Sequence, residues 1–180
     1  MPKTEKQKIL QRSEVSLRIN HYDDIFSDFD SRPYAQRGLS DDFLLEAKKF
    51  TKERPSGRLE LVFLVPANLR KQEVENVIKK RLHEHFRKHH HLLQQETAQL
   101  KKKGLALTLL GMLLMLAASL LATVETKKFI TNVLFVILEP SGWFMVWFGL
   151  EQIFYEAKQK QPDLEFYTKM CEGEIKFKPY

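Results

Sequence analysis

Glu139 lies near the middle of the run Phe129–Leu150, in which nothing else ionises, and Pro140 follows it at once. An ionised carboxylate at mid-bilayer costs about 2.5–3.5 kcal/mol on insertion scales, so such a residue is a functional candidate. On a functional reading, Glu139 lines a proton or cation path, or a polar cavity between subunits. On a structural reading it is neutral. Pro140 has no N–H, so the carbonyl of Val136 loses its helical partner, and a protonated Glu139 or the Ser141 hydroxyl re-satisfies the loosened backbone. The structural reading is favoured, because no second acid, His or Arg stands at the same depth to form a relay. Asn132, Glu139, Trp143 and Trp147 share one helical face, at i, i+7, i+11 and i+15. Gly111, Met115, Ala118 and Ala122 form a thin seam on the preceding apolar run, where small residues let helices approach. The expected register brings Gly111 to the depth of Trp143 and leaves room for its indole; alternatively the polar face meets a neighbouring chain.

The sequence RLHEHFRKHHH supplies a histidine cluster, in which His85 and His89 lie one helical turn apart, a usable spacing for two metal ligands. It is not a zinc-protease motif, since Arg87 stands where the second histidine should follow His83–Glu84. The favoured expectation is a solvated basic face; metal binding and a pH-tuned lipid contact are the alternatives. A third candidate is the acidic loop with Asp23, Asp24, Asp28 and Asp30. Clustered carboxylates can hold divalent cations, but Arg32 and Pro33 occupy positions that a calcium loop reserves for an acid and a glycine. These acids are therefore expected to pair with the basic helix, within the chain or between subunits. No nucleophile–base pair, phosphate-binding glycine loop or redox pair is visible, so no enzyme activity and no cofactor is expected. The single cysteine, Cys171, excludes an internal disulfide and a cysteine-based zinc site.

The elements that must position these residues are dominated by two apolar runs, 104–124 and 129–150. Each spans roughly 30 Å at about 1.5 Å per residue, the thickness of a hydrocarbon core. No apolar leader opens the chain, so the first run is expected to act as the insertion signal. Lys101, Lys102 and Lys103 abut that run and Lys158 and Lys160 follow the second, which predicts that both tails are cytoplasmic; Lys127 and Lys128 in the short connection are a mild counter-signal. Residues 1–103 carry 22 Lys/Arg against 15 Asp/Glu, and residues 104–180 carry 7 against 8, which accounts for the net +6. Basic excess beside a bilayer suits anionic lipid headgroups, with Lys101–Lys103 in contact. No recognition or stacking motif points to nucleic acid.

Outside the apolar runs, residues 1–13 read as loose. Val15, Leu17 and Ile19 alternate with polar residues, a half-buried strand. Residues 21–39 read as a loop, and Ser40 followed by two acids opens a helix of about 40–53. Pro55, Ser56 and Gly57 mark a turn. LELVFLV at 59–65 reads as a buried strand, and Val74, Ile78, Leu82 and Phe86, extended by Val77 and Leu93, form the stripe of a long helix from about residue 69. This helix either continues into the first apolar run or breaks once near the surface. DLEFYTKM reads as a short helix, and EIKFK at 174–178 as a strand that is unstable alone and is expected to join the N-terminal strands.

The segments DDIFSDFDSRPYAQRGLSDDFL, EPSGWFMVWFGLEQIFYE and PDLEFYTKM resemble those of a family of small, uncharacterised prokaryotic two-span membrane proteins. The resemblance implies a membrane hairpin with both tails on one side, and brings no activity, cofactor or catalytic residue.

The expected architecture is α+β: a cytosolic domain of about three strands and two helices (1–103), a two-helix transmembrane hairpin (104–150) and a cytosolic tail (151–180) whose last strand closes the sheet. The expected function is a non-enzymatic, membrane-tethered interaction or regulatory module that forms a homo-oligomer and receives a protein partner at its cytosolic domain. The alternative is a subunit of an oligomeric channel or transport component built around Glu139.

Overall fold

The computed structural model describes residues 12–53, 58–123 and 129–180. The expected loose N-terminus up to residue 11, the turn at Pro55–Gly57, Val124 and the connection 125–128 lie outside them. The fold is mixed helix and strand, in two compact units: residues 1–91 with 163–180, and residues 92–162.

The first unit is built on three parallel strands, β1 (Arg12–Arg18), β2 (Arg58–Val65) and β3 (Glu174–Pro179), in the order β1-β2-β3. The alternation of β1 and β3 follows from their place at the edges. Val15 and Ile175 turn inward while Ser16 and Lys176 flank Val62 on the opposite side. The central strand is buried on both faces, which is why its sequence is nearly continuous in apolar residues. In register, Val15, Leu61 and Ile175 make one row and Leu17, Phe63 and Phe177 the next. The Phe63 and Phe177 rings stack at 5.1 Å. Parallel strands need long crossovers. The first is α1 (Asp41–Glu53), whose Phe43 ring lies 5.7 Å from that of Phe63. The second crossover contains the remaining α-helices among the described residues.

Helix α2 (Gln72–Ala122) is unbroken and does not interrupt at the Lys101–Lys103 triplet. Its stripe is buried at Ile78, Leu82 and Phe86, whereas Val77, expected to extend the stripe, is 41% exposed because it falls outside the face that meets the sheet and α4. Helix α3 (Phe129–Glu151) passes through Pro140 and continues through a π turn, Gln152–Glu156, into a short helical stretch, Ala157–Gln159. Helix α4 (Gln161–Glu172) buries Phe166, Tyr167 and Met170, and the Phe86 and Phe166 rings meet edge-on at 6.2 Å. Gly173 turns the chain into β3 so tightly that a Cβ there would sit 2.9 Å from the Lys169 carbonyl and 3.0 Å from that of Leu59.

Helix α2, of 51 residues and in the second unit from Leu92 onward, and the 31-residue stretch Phe129–Gln159 are each long and apolar enough to cross a membrane. Their apolar windows are only 17% and 11% buried within the chain.

Candidate functional site

The carboxyl ends of parallel strands are where open α/β sheets gather their binding groups. Here the loop after β1, the turn after β2 and the residue after β3 meet at that edge. The loop is fixed by its own interior: Ile25 and Phe26 are fully buried, Phe26 bridges to Leu39, and Phe26 stacks on Tyr34 at 5.1 Å. Tyr180 closes the third side, donating through its hydroxyl to Asn20 Oδ1 at 3.3 Å while the Arg18 guanidinium lies 4.2 Å above its ring.

At this edge Glu75, in the first turn of α2, is almost wholly buried (side chain 1% exposed). Its carboxylate accepts from Arg70 Nε and Nη2, each at 2.9 Å, and from the Tyr22 hydroxyl at 3.1 Å. The Tyr22 oxygen in turn accepts from the Lys71 amide at 3.0 Å. Hydrogen bonds from Arg70 hold the Glu75 carboxyl below its usual range, against the opposing effect of burial. Burial pushes the Tyr22 hydroxyl up. Beside this network a cleft of about 230 Å³ opens between His21, Tyr22, Asp23 and Tyr34 of the loop and Leu69, Lys71 and Val74 at the start of α2. Tyr34 donates to Asp23 at 3.2 Å, and Arg37 pairs with the same carboxylate. The Tyr22, Asp23 and Tyr34 side chains that line the cleft are thus each held by a polar neighbour.

The acidic loop departs from expectation. Within the chain, its acids pair locally and not with the basic helix. Asp30 is held by Arg32 (2.7 Å) and accepts the Gly38 amide (2.7 Å), Asp23 pairs with Arg37, and Asp24 accepts the Asn20 and His21 amides. Local geometry prevails because Arg32 and Arg37 need no rearrangement to reach these acids. From the basic helix, Arg81 Nε donates to the Arg37 carbonyl at 2.9 Å.

The histidines divide. His91 is exposed, whereas His85 and His89 are drawn into the packing of α2 against α4. Their rings lie 4.2 Å apart and His89 stacks on Tyr167 at 5.4 Å. His85 Nε2 is buried without a hydrogen-bond partner. Burial, reinforced by His89 and Arg81, lowers the His85 pKa to about 4, so the pair does not form the solvated, readily charged face that the sequence suggests. Among the described residues no group of three His, Cys, Asp or Glu is placed to hold a metal. Burial also raises the Cys171 thiol pKa, away from thiolate chemistry.

In the second unit the helices meet through glycines. A Cβ on Gly111 would fall 2.6 Å from the Gly142 carbonyl and 2.7 Å from the Val146 amide. A Cβ on Gly104 would fall 2.6 Å from the Gly149 carbonyl. Thr108 sits against Gly149 and returns its hydroxyl to the Gly104 carbonyl at 2.9 Å. The seam is therefore Gly104, Thr108, Gly111, Met115 and Ala118 against Gly142 and Gly149; Ala122 is exposed and lies beyond the close contact. The Trp143 indole does not fill the space at Gly111. Trp143 and Trp147 are 60% and 62% exposed and stack on each other at 6.1 Å, and Asn132, Glu139 and Pro140 are exposed with them. The backbone of Gly142 takes the place expected for the indole because two glycines approach more closely than a glycine and a ring. Lys101, Lys102 and Lys103 are exposed. The heptad spacing of Gly104 and Gly111, mirrored by Gly142 and Gly149, was the available signal for this seam. No protein-family model, curated protein or solved structure matches this chain.

Proposed function

We propose that this chain is an integral membrane protein whose two apolar helices anchor a cytosolic α+β module, and that the module binds a partner without catalysing a reaction. The observation carrying the anchor is the exposure of the apolar windows, which are 17% and 11% buried within the chain. A core helix of a soluble protein is mostly buried, and a contiguous apolar surface of this extent in water promotes aggregation. The glycine seam supports the hairpin, since close backbone approach is how helices associate where lipid removes the hydrophobic drive. The sheet supports a common side for both tails: β3 follows the second apolar helix and pairs with β2, which precedes the first. Lysines flanking the apolar runs support the cytoplasm as that side. The cleft beside Tyr22 and Glu75, between the loop after β1 and the start of α2, is the surface offered to a partner, and Lys101–Lys103 contact anionic headgroups.

The test uses Cys171 as a native reporter, in membranes washed with alkaline carbonate. The chain stays with the lipid, and an impermeant maleimide labels denaturant-loosened Cys171 only from the cytoplasmic face. Release into the wash refutes the anchor; labelling from the opposite face refutes the orientation.

A second reading rests on the exposed Glu139 carboxyl: copies assemble with Asn132 and Glu139 towards a shared polar interior that conducts ions. Subunit counting in lipid nanodiscs separates the two. A monomer or dimer leaves the tether, which tolerates Glu139→Gln. A closed ring whose ion flux changes on Glu139→Gln replaces it.

A further inference from the structure

Immediately after its apolar run, α3 presents a carboxylate among aromatic rings. Trp147, Leu150, Glu151, Phe154 and Tyr155 line a cleft of about 350 Å³ around the start of the π turn. The three rings are 62%, 70% and 63% exposed. Glu151 is exposed and has no ion-pair or hydrogen-bond partner among the described residues. The π turn sits where Gln152 and Ile153, neighbours in sequence, both crowd Gly104 on the other side of the helix: a Cβ there would lie 3.2 and 2.8 Å from their side chains. Such π bulges are frequent at functional sites.

The chemistry of the cleft restricts its occupant. An unpaired carboxylate repels ligands whose only charge is negative. One carboxylate beside a single phenol, with no second acid among the lining residues, does not hold a hard metal ion, which seeks six to eight oxygens or their equivalent. Exposed aromatic faces around a negative charge instead suit a bulky, weakly hydrated cation, the combination by which aromatic cages recognise ammonium groups. Trp147 and Leu150, on the apolar side of Glu151, offer a surface for hydrocarbon. We propose that this cleft binds the ammonium headgroup of a membrane lipid, with Glu151 as its counter-ion and Trp147, Phe154 and Tyr155 as cation–π surfaces. The inference rests on the two-span reading, which sets Leu150 at the end of the span and Glu151 at headgroup depth, where Trp and Tyr also concentrate. A simple aromatic belt accounts for the rings but does not require the carboxylate.

The test reconstitutes the full chain into nanodiscs of phosphatidylglycerol alone, or of phosphatidylglycerol mixed with phosphatidylcholine or phosphatidylethanolamine. Native mass spectrometry then reads which lipids stay bound. The wild-type chain retains the ammonium lipid about tenfold over phosphatidylglycerol, and Glu151→Gln, which keeps size and removes charge, abolishes that preference. Tyr155→Leu weakens it while leaving the apolar anchor in place. The choline and ethanolamine mixtures show which headgroup the cleft favours, and tetramethylammonium chloride displaces either. Equal retention by wild type and Glu151→Gln overturns the proposal, as does a preference for phosphatidylglycerol, which points to Lys101–Lys103 instead. Failure to enter nanodiscs overturns the membrane reading itself, whereas entry without headgroup preference overturns the site alone.

Discussion

Replacing Glu75 by alanine tests whether the ionic network at the carboxyl edge of the sheet anchors the start of α2. The change deletes three hydrogen bonds to one buried carboxylate, from Arg70 Nε, Arg70 Nη2 and the Tyr22 hydroxyl. Removing one member of a fully buried ion pair costs about 3–5 kcal/mol. Here Arg70 keeps 30% of its side chain in solvent and regains water. Tyr22 keeps the Lys71 amide but loses the acceptor for its own proton. The expected cost is therefore below that range, about 2–3 kcal/mol. In hydrogen exchange of the full chain in detergent, the opening constant for amides in the first turns of α2 rises on the order of 30- to 150-fold. Glu73→Ala is the control, since it removes a charge from the same first turn at an exposed position, and its effect is about twofold or less. The effect also depends on pH. The folded-state pKa of Glu75 is depressed, so its contribution is present above the unfolded carboxyl range and is lost as pH falls through the folded value. Equal exchange in Glu75→Ala and Glu73→Ala at neutral pH would refute the anchoring role.

Three further outcomes follow from the packing. Phe177→Ala removes a ring that is 7% exposed and stacked on Phe63, costing about 3 kcal/mol and exposing β3 to limited proteolysis. Gly142→Val places a Cβ 2.7 Å from Met115 Cγ and 2.9 Å from the Gly111 carbonyl, so the helices separate; the thermal midpoint in detergent falls by an amount equivalent to about 1–3 kcal/mol, whereas Phe144→Val, at a 64% exposed position, leaves it unchanged. His85, with a folded pKa near 4 against 6.5 unfolded, binds fewer protons in the folded state between those values. Stability therefore falls as pH drops from about 6.5 towards 4, and His85→Leu flattens that part of a melting-temperature profile.

Period and length carried much of the architecture. The alternation at Val15–Ile19, the continuous run at Leu59–Val65 and the alternation in EIKFK correspond to β1, β2 and β3, and the expectation that the last strand joins the first two holds. That the strands run parallel was not legible, because side-chain alternation is the same in either direction. The site was less accessible. Glu75 appears in the sequence as one more acid in a helical first turn, and only the fold brings Tyr22, 53 residues away, to its carboxylate. On α3 the polar and aromatic face that the sequence makes conspicuous is exposed, as in the alternative that turns it away from the hairpin. The contact runs instead through Gly142 and Gly149, whose value lies in having no side chain.

The place of β3 also has a consequence for how the chain is made. β2 ends at Val65 and its second neighbour begins at Glu174, so the ribosome must add more than a hundred residues before the sheet can close. At about 5–20 residues per second this interval lasts on the order of 5–20 seconds. During it, β2 has an open edge and Phe63 lacks Phe177. On the two-span reading both apolar helices are inserted within that interval, and only a chain with both of them across returns its C-terminus to the side where β2 waits. A chain that threads one helix leaves β3 on the wrong side and the edge of β2 unpaired. On that reading, closure of the sheet depends on both helices having crossed, and a half-threaded chain keeps the open β2 edge that promotes wrong pairing.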